Sequence, residues 1–177
     1  SRGKVPTLET LMKLVDKLAL LKYNHFELYL EGFSFAYPSF SDVWQNQTPL
    51  TPDELQKLDA YCTARFIKLV PNQNSLGHMG HWLADERYRH LAEKPEGFEI
   101  MGFKVPPTTM DPTDPGTLAH VSKMMDDLLP SFTSDWLNVD LDEPFELGYG
   151  KNSKARETGT IGEVYLDYAL KLHAALA

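Results

Sequence analysis

Stretches of helical and of strand periodicity alternate along this sequence, and that order constrains the fold more than any other feature. Residues 8–22, LETLMKLVDKLALLK, put Leu11, Leu14, Val15, Leu18 and Leu21 on one helical stripe, with Thr7 placed to cap it. The next run, HFELYLEG, has a period of two. Phe26, Leu28 and Leu30 share one face and Glu27, Tyr29 and Glu31 the other, which predicts a strand. In TPDELQKLDAYCTAR, Thr51, Pro52 and Glu54 supply the N-cap, the first-turn proline and the capping box of a helix. FIKLVPN reads as a second strand stopped at Pro71, and a weaker helical pattern covers roughly 79–92. Residues 93–113 form a loop rich in Pro and Gly, after which Asp114 and Pro115 open the helix PGTLAHVSKMMDDLL. WLNVDL is the third strand, and a loop over 148–160 leads to a final helix, GEVYLDYALKLHAALA.

Strands alternating with helices argue for βα units around a parallel sheet. The glycine-rich strand-to-helix turn of a dinucleotide-binding sheet is missing. Parallel strands buried on both faces read as continuous apolar runs, whereas these carry acids and amides on one face. A (β/α)8 barrel accounts for that, with aliphatic residues facing the helices and polar residues facing the barrel mouth. A whole barrel takes roughly 250 residues. The 177 residues here are therefore read as one partial α/β domain segment, about half a barrel, built of β2-α2-β3-α3-β4-α4-type units. The start, Ser-Arg-Gly, reads as the exit from a preceding strand of a longer chain. It has neither initiator Met nor signal peptide, so it assigns no localisation.

Composition narrows the partners. A formal net charge of -8 excludes a nucleic-acid partner, which needs clustered Lys and Arg. No apolar run approaches the roughly 18 residues of a membrane span. Cys62 is the single cysteine, so no internal disulfide can form, and its helical setting predicts a buried, inert thiol. The open edges of the terminal strands predict self-association.

The chemistry concentrates in LNVDLDEPFELG, residues 137–148, where Asp140, Asp142, Glu143 and Glu146 are threaded among Leu, Val and Phe. In a strand, Leu137, Val139 and Leu141 would face the helices and Asn138, Asp140 and Asp142 the lumen. Glu143 would then point away from Asp142 unless the strand has ended. Pro144 supports an ending, since it lacks the ladder N–H and favours an extended Glu143. Asp142 and Glu143 thus meet at the C-terminal rim, the catalytic face of such barrels. The other strands bring Glu27, Tyr29 and Glu31, then Asn72 and Asn74, with Gly77 and His78 just beyond. Carboxylates crowded in one concave site raise one another's pKa, and a carboxyl kept protonated near neutrality can serve as a general acid. Acid chemistry on a polyhydroxylated substrate follows. A lone acid at a strand end is ordinarily a cap, an anchor or a solvated side chain, and Glu146 reads that way. His78 and His81, three apart, are more often a structural pair than metal ligands. Phe33, Phe35, Tyr37, Phe40 and Trp44 suit either a sugar-stacking wall or loop packing.

These residues resemble, in order and over nearly the whole chain, the glycoside hydrolase family 20 β-N-acetylhexosaminidases, divergent bacterial members above all. SRG is similar to the end of the family's first barrel strand, LALLKYNHFELYLEG to its second helix-to-strand passage, ARFIKLVPNQNSLGH to its third strand and exit, and WLNVDLDEPFELG to its fourth strand, whose hallmark is His-x-Gly-Gly-Asp-Glu. The resemblance implies that Arg2 holds the sugar's ring hydroxyls, that Glu31 stands near a position that is usually Asp, and that His78 is the active-site histidine. It implies substrate-assisted retaining hydrolysis of a terminal β-linked N-acetylhexosamine, needing neither metal nor cofactor. The 2-acetamido oxygen would be the nucleophile, Asp142 would orient the acetamido group, and Glu143 would be the acid and base. Arg2, Glu31, His78, Asn74 and Asp140 make up the expected carbohydrate-binding set. The chain departs from the hallmark at Asn138, which replaces His, and at Asp140 and Leu141, which replace the glycines. Asn72 and Asn74 stand where the family pattern has acids, and Leu76 where it has Pro.

Two further readings remain open on the sequence. One is a metal-dependent sugar isomerase or epimerase with Glu31, His78, Asp140 and Asp142 as ligands. The other is a non-catalytic, carbohydrate-binding or structural barrel segment. The missing barrel half would supply part of the sugar pocket, so the segment alone is expected to hydrolyse nothing.

Overall fold

The computed structural model of the chain describes residues 4–100 and 102–177; Arg2, with the rest of the Ser-Arg-Gly start, lies outside the described residues. The elements run α1 (Leu8–Leu20), β1 (His25–Leu30), α2 (Ser41–Trp44), α3 (Pro52–Thr63), β2 (Lys68–Gln73), α4 (Gly80–Leu83), β3 (Phe98–Ile100), β4 (Phe103–Val105), α5 (Pro115–Leu128), α6 (Ser153–Glu157) and α7 (Ile161–Leu176). This is an α/β order with short sheets. The chain gathers into two compact units, one of the stretch up to Gln73 with Met124–Val139, the other of Asn74–Lys123 with Asp140–Ala177.

In the first unit β1 and β2 pair in parallel, from His25 opposite Lys68 to Leu30 opposite Gln73. The period of two is realised in β1: Leu28 and Leu30 are buried while Glu27 is exposed. β2 does not stop at Pro71 as its sequence suggests. Pro71 has no N–H to give, but its carbonyl accepts from Asn138 N at 3.0 Å, and Gln73 N donates back to Asn138 O at 2.9 Å. Asn138 is thereby bridged in parallel to Asn72. On the same polar face, Glu27 Oε2 accepts from the Asn72 and Asn138 side-chain amides, each at 3.1 Å. The Asn138 bond leads the causes that hold the Glu27 carboxyl below its usual range.

Helices α1 and α3 begin where their caps dictate. Thr7 accepts from Thr10 N, and Thr51 and Glu54 close a complete capping box. Both helices end without glycine. Lys22 and Phe66 take φ of +63° and +59°, and Tyr23 N and Ile67 N reach back to Leu18 O and Cys62 O, the hydrogen bond of a Schellman ending. Leu11 and Val15 of α1 and Leu55, Leu58 and Cys62 of α3 are buried, each large aliphatic contributing about 1.5–3 kcal/mol. Cys62 is buried as expected, and burial pushes its thiol up to about 12. Phe35, Tyr37 and Phe40 are core residues rather than an open wall: they are buried in edge-to-face pairs, and Tyr37 donates to Gln73.

The second unit departs more from its sequence. The helix expected over 79–92 is one turn, α4, and a 3₁₀ turn at Arg89–Leu91. Asp85 interrupts it by accepting from Arg87 N at 2.9 Å, a local bond that competes with helix propagation. The 93–113 loop contains the β3–β4 hairpin, with Phe98 opposite Val105, and the 148–160 loop contains α6. Glu93, fully buried, organises that second loop. It accepts from Gly148 N, Gly150 N and Asn152 N at 3.1, 3.3 and 3.0 Å, and from the Asn152 amide at 2.6 Å. The third strand, expected over 136–141, is reduced to the Asn138 bridge, because the backbone at Asp140 turns to a φ of +37° and breaks the alternation. Leu137, Val139 and Leu141 are consequently only half-buried.

The α3 capping box is exposed and local, so its removal reports on helix stability alone. Thr51→Ala is expected to lower the unfolding free energy by about 1 kcal/mol in urea titrations monitored by circular dichroism.

Candidate active site

The site is built from two turns of the second unit. The first follows β2. Asn74 is buried, and its amide donates to Asp140 Oδ2 at 3.1 Å. Ser75 N donates to Asp140 O at 3.2 Å, and Ser75 O accepts from Tyr168 OH of α7 at 2.6 Å. The turn then reaches Gly77 and His78, whose φ is +55°.

The second turn carries the acids. Phe145 N donates to Glu143 O at 2.8 Å, a three-residue turn with Pro144 at its centre. Pro144 therefore turns the chain, as its sequence position implies. Glu143 is not extended, however; its φ is +45°. Leu141 O accepts from Tyr165 OH at 3.1 Å, which ties the entry of this turn to α7.

The two turns touch backbone to backbone. A Cβ on Gly77 would lie 2.1 Å from Asp142 O and 3.0 Å from the Glu143 carbonyl carbon. Only glycine allows that approach, and the approach sets the chemistry. His78 Nε2 lies 3.1 Å from Glu143 Oε2 and 3.6 Å from Asp142 Oδ2. The imidazole is mostly buried, while the Asp142 and Glu143 side chains are about half exposed. His78, Asp140 and Glu143 are non-glycine residues with positive φ drawn into one site, a concentration of backbone strain typical of functional centres.

Asp140 joins the group electrostatically. Burial, and next the hydrogen bond and charge of neighbouring Asp142, push its carboxyl up to about 6, while the facing His78 pulls the other way. The constellation offers a carboxyl that keeps its proton into mildly acidic solution, an exposed carboxylate pair and an imidazole bridging them. That suits proton transfer to and from a substrate oxygen. The ligand atoms of His78, Asp142 and Glu143 also lie within 4.8 Å of one another, a spacing that could hold a cation.

The expected residues divide as follows. His78, Asp142 and Glu143 come together, and Asn74 and Asp140 join them through hydrogen bonding and charge. His81 lies outside that trio, exposed on α4. Glu31 belongs to the first unit, half-buried, where its carboxylate accepts from Tyr29 OH at 3.0 Å. Glu146, expected as a capping, anchoring or solvated loop acid, is a buried anchor at 1% exposure, with Thr108 and Thr109 as donors. Sequence reasoning passed over those threonines entirely. The signal available was the placing of Glu146 between Phe145 and Leu147, beside a loop rich in hydroxyl donors.

Compared with known proteins, the chain matches the family described as glycosyl hydrolase family 20, catalytic domain, over residues 4–165. No curated protein matches it in sequence. Among solved structures it is similar to the Flavobacterium johnsoniae chitobiase, with a TM-score of 0.79 and 21% identity over 99% of this chain and 28% of that one. It is similar to the β-N-acetylhexosaminidase of Bacteroides fragilis, with a TM-score of 0.74 and 18% identity over 97% of this chain and 37% of that one. A third is the exo-β-N-acetylglucosaminidase of Vibrio harveyi in complex with N-acetylglucosamine, at TM-score 0.73 and 17% identity, covering 96% of this chain and 32% of that one. The chain thus spans about a third of the length of these proteins. At such identities the likeness is one of fold.

Asp140 gives the site a pH signature. Because its folded pKa is raised, its contribution to stability is fully present below the unfolded value of 3.8 and is lost as pH rises through about 6. Carbon-13 NMR of the aspartate carboxyls is expected to show Asp140 titrating near that upper value, and closer to the ordinary range after Asp142→Asn. Asp140→Asn should remove the accompanying fall in stability.

Proposed function

The chain belongs to glycosyl hydrolase family 20, and on that footing we propose that it is the N-terminal part of a (β/α)8 catalytic domain that removes terminal β-linked N-acetylhexosamine. In this reading residues 1–177 form a single partial domain, and hydrolysis is the activity of the longer protein. The observation that supports it best is the approach of His78 Nε2 to Glu143 at 3.1 Å and Asp142 at 3.6 Å on two abutting turns.

The proposed reaction is the one that the resemblance to this family implies, with these residues in its roles. The substrate's 2-acetamido oxygen attacks the anomeric carbon as the glycosidic bond breaks, giving an oxazolinium ion and inverting the anomeric centre once. Glu143 gives its proton to the departing oxygen. Asp142 accepts from the acetamido N–H and stabilises the positive charge growing on that group. Asp140, buried and facing Asp142, has its carboxyl pushed up to about 6. Water then attacks the anomeric carbon, whose bond to the acetamido oxygen breaks to restore the acetamide, while Glu143 takes a proton from that water. The second inversion gives net retention, with no enzyme nucleophile. His78 Nε2, 3.1 Å from Glu143, is placed to hold that carboxyl group in position through both steps. Arg2 and Glu31 are proposed to hold ring hydroxyls, and Asn74 to fix the Asp140 carboxyl in the sugar pocket.

In the full-length protein, Glu143→Gln is expected to lower turnover of an aryl N-acetyl-β-glucosaminide by a factor of about 10²–10⁴. An N-acetyl-thiazoline, which imitates the oxazolinium ion, should inhibit. Turnover unaffected by that substitution would remove Glu143 as the acid. The other reading, a metal-dependent sugar isomerase or epimerase with Glu31, His78, Asp140 and Asp142 as ligands, finds only His78 and Asp142 in the His78–Asp142–Glu143 cluster. That reading requires activity to vanish with EDTA, whereas the hydrolase should survive it.

Among the described strands β1 pairs only with β2, and we propose that its other edge is open. The 177-residue chain by itself is expected to self-associate along that edge and to hydrolyse nothing. A concentration-independent monomer in light scattering would contradict the first expectation, and measurable hydrolysis the second.

A further inference from the structure

The carboxylate of Glu146 has nothing to do with solvent. Its Oε1 accepts from Thr108 N at 2.5 Å and Thr109 N at 3.2 Å. Its Oε2 accepts from Thr108 Oγ1 at 3.0 Å and from Thr109 Oγ1. An ionised carboxylate has about four acceptor positions, and these four donors fill them. Thr109 is fully buried, and its hydroxyl also accepts from Glu146 N at 3.4 Å. Burying a charge this completely is unfavourable unless it is so bonded. A loop acid needing only solubility would not be built this way.

What the threonines are attached to gives the clamp its meaning. Met79 N, immediately after His78, donates to Thr108 O at 2.8 Å, and Met110 N donates to Leu76 O at 2.9 Å. The segment Thr108–Met110 is therefore bonded on one side to the turn that carries His78 and on the other, through Glu146, to the turn that carries Glu143. It is a strut across the base of the site. Glu143 sits three residues before the clamped Glu146, in a left-handed conformation that persists only where its surroundings impose it.

We infer that Glu146 is a positioning residue for the Glu143 acid, setting its register against His78 through the Thr108–Met110 strut. The inference rests on the glycosidase reading for its catalytic consequence, and on geometry alone for its mechanical one. Catalytic groups tolerate little displacement: a shift of about 1 Å can cost about 100-fold in rate.

The test uses the full-length protein. Glu146→Ala, or Thr109→Val should the first not fold, is expected to lower kcat about 100-fold with KM little changed. Glu146→Gln should restore much of it, because its amide oxygen still accepts from both backbone N–H groups and its NH₂ can meet the hydroxyls. In hydrogen exchange followed by NMR, the Met79 and Phe145 amides should lose protection together in Glu146→Ala and recover together in Glu146→Gln. Loss at Phe145 with Met79 unchanged would overturn the strut. So would an undiminished kcat in a folded variant whose Glu143→Gln counterpart is inactive. If Glu143→Gln itself stays active, the glycosidase reading fails, and the exchange data alone then decide the strut.

Discussion

The contact of Gly77 with the Asp142–Glu143 backbone is the constraint on which the site depends. With a Cβ position only 2.1 Å from Asp142 O, the two turns can come together only if residue 77 has no side chain. Once they do, His78 has no choice but to face the acids, and the acids must leave strand geometry to accommodate it. The positive φ values at His78, Asp140 and Glu143 then read as consequences of one close approach rather than as separate irregularities. Each carries roughly 1–2 kcal/mol of backbone strain. Bonds at the periphery hold the arrangement in place: Tyr168 to Ser75 O, Tyr165 to Leu141 O, and the threonines to Glu146.

The electrostatics follow from the same crowding. Two aspartates lie two residues apart on an irregular segment, and burial, then the hydrogen bond and charge of Asp142, push the Asp140 carboxyl up to about 6. Below about pH 6 a protonated Asp140 leaves one fewer negative charge near Glu143 than the sequence implies. The imidazole of His78 faces Glu143 at 3.1 Å and Asp142 at 3.6 Å. The net charge of -8 on the chain therefore says little about the local field in which a substrate would be protonated.

What was legible in the sequence is what depends on near neighbours. Thr7, Thr51 and Pro52 start helices where they predict, since a cap needs only the residues three positions on. The period of two in β1 holds because one face meets the core. The expected acid pair and histidine do come together, since proline and glycine mark the turns that carry them. Illegible were the features decided by distant partners. The helical pattern over 79–92 lost to the Asp85 side chain and to backbone bonds with Thr108. The third strand lost to the left-handed turn at Asp140. The burial of Glu146 was not legible because its partners, Thr108 and Thr109, lie nearly forty residues earlier in the chain.

Asp140 shows how a departure from a pattern can keep the physical requirement behind it. The resemblance expects glycine at this position, where glycine would admit a conformation closed to most side chains. The backbone here is left-handed, with a φ of +37°. Aspartate is among the few residues other than glycine that adopt this conformation with any frequency, since its short polar side chain bonds locally. The backbone demand is thus met without glycine, and what changes is the added carboxyl. Free and charged, that carboxyl would oppose Asp142. Held by the Asn74 amide and pushed up to about 6, it is neutral below that pH and adds no charge beside Asp142 there. Asn74 contributes a donor that an acid at the same place would supply only when protonated. Asn74 and Asp140 are therefore best understood as one paired feature, in which an amide on one turn makes a carboxyl tolerable on the other.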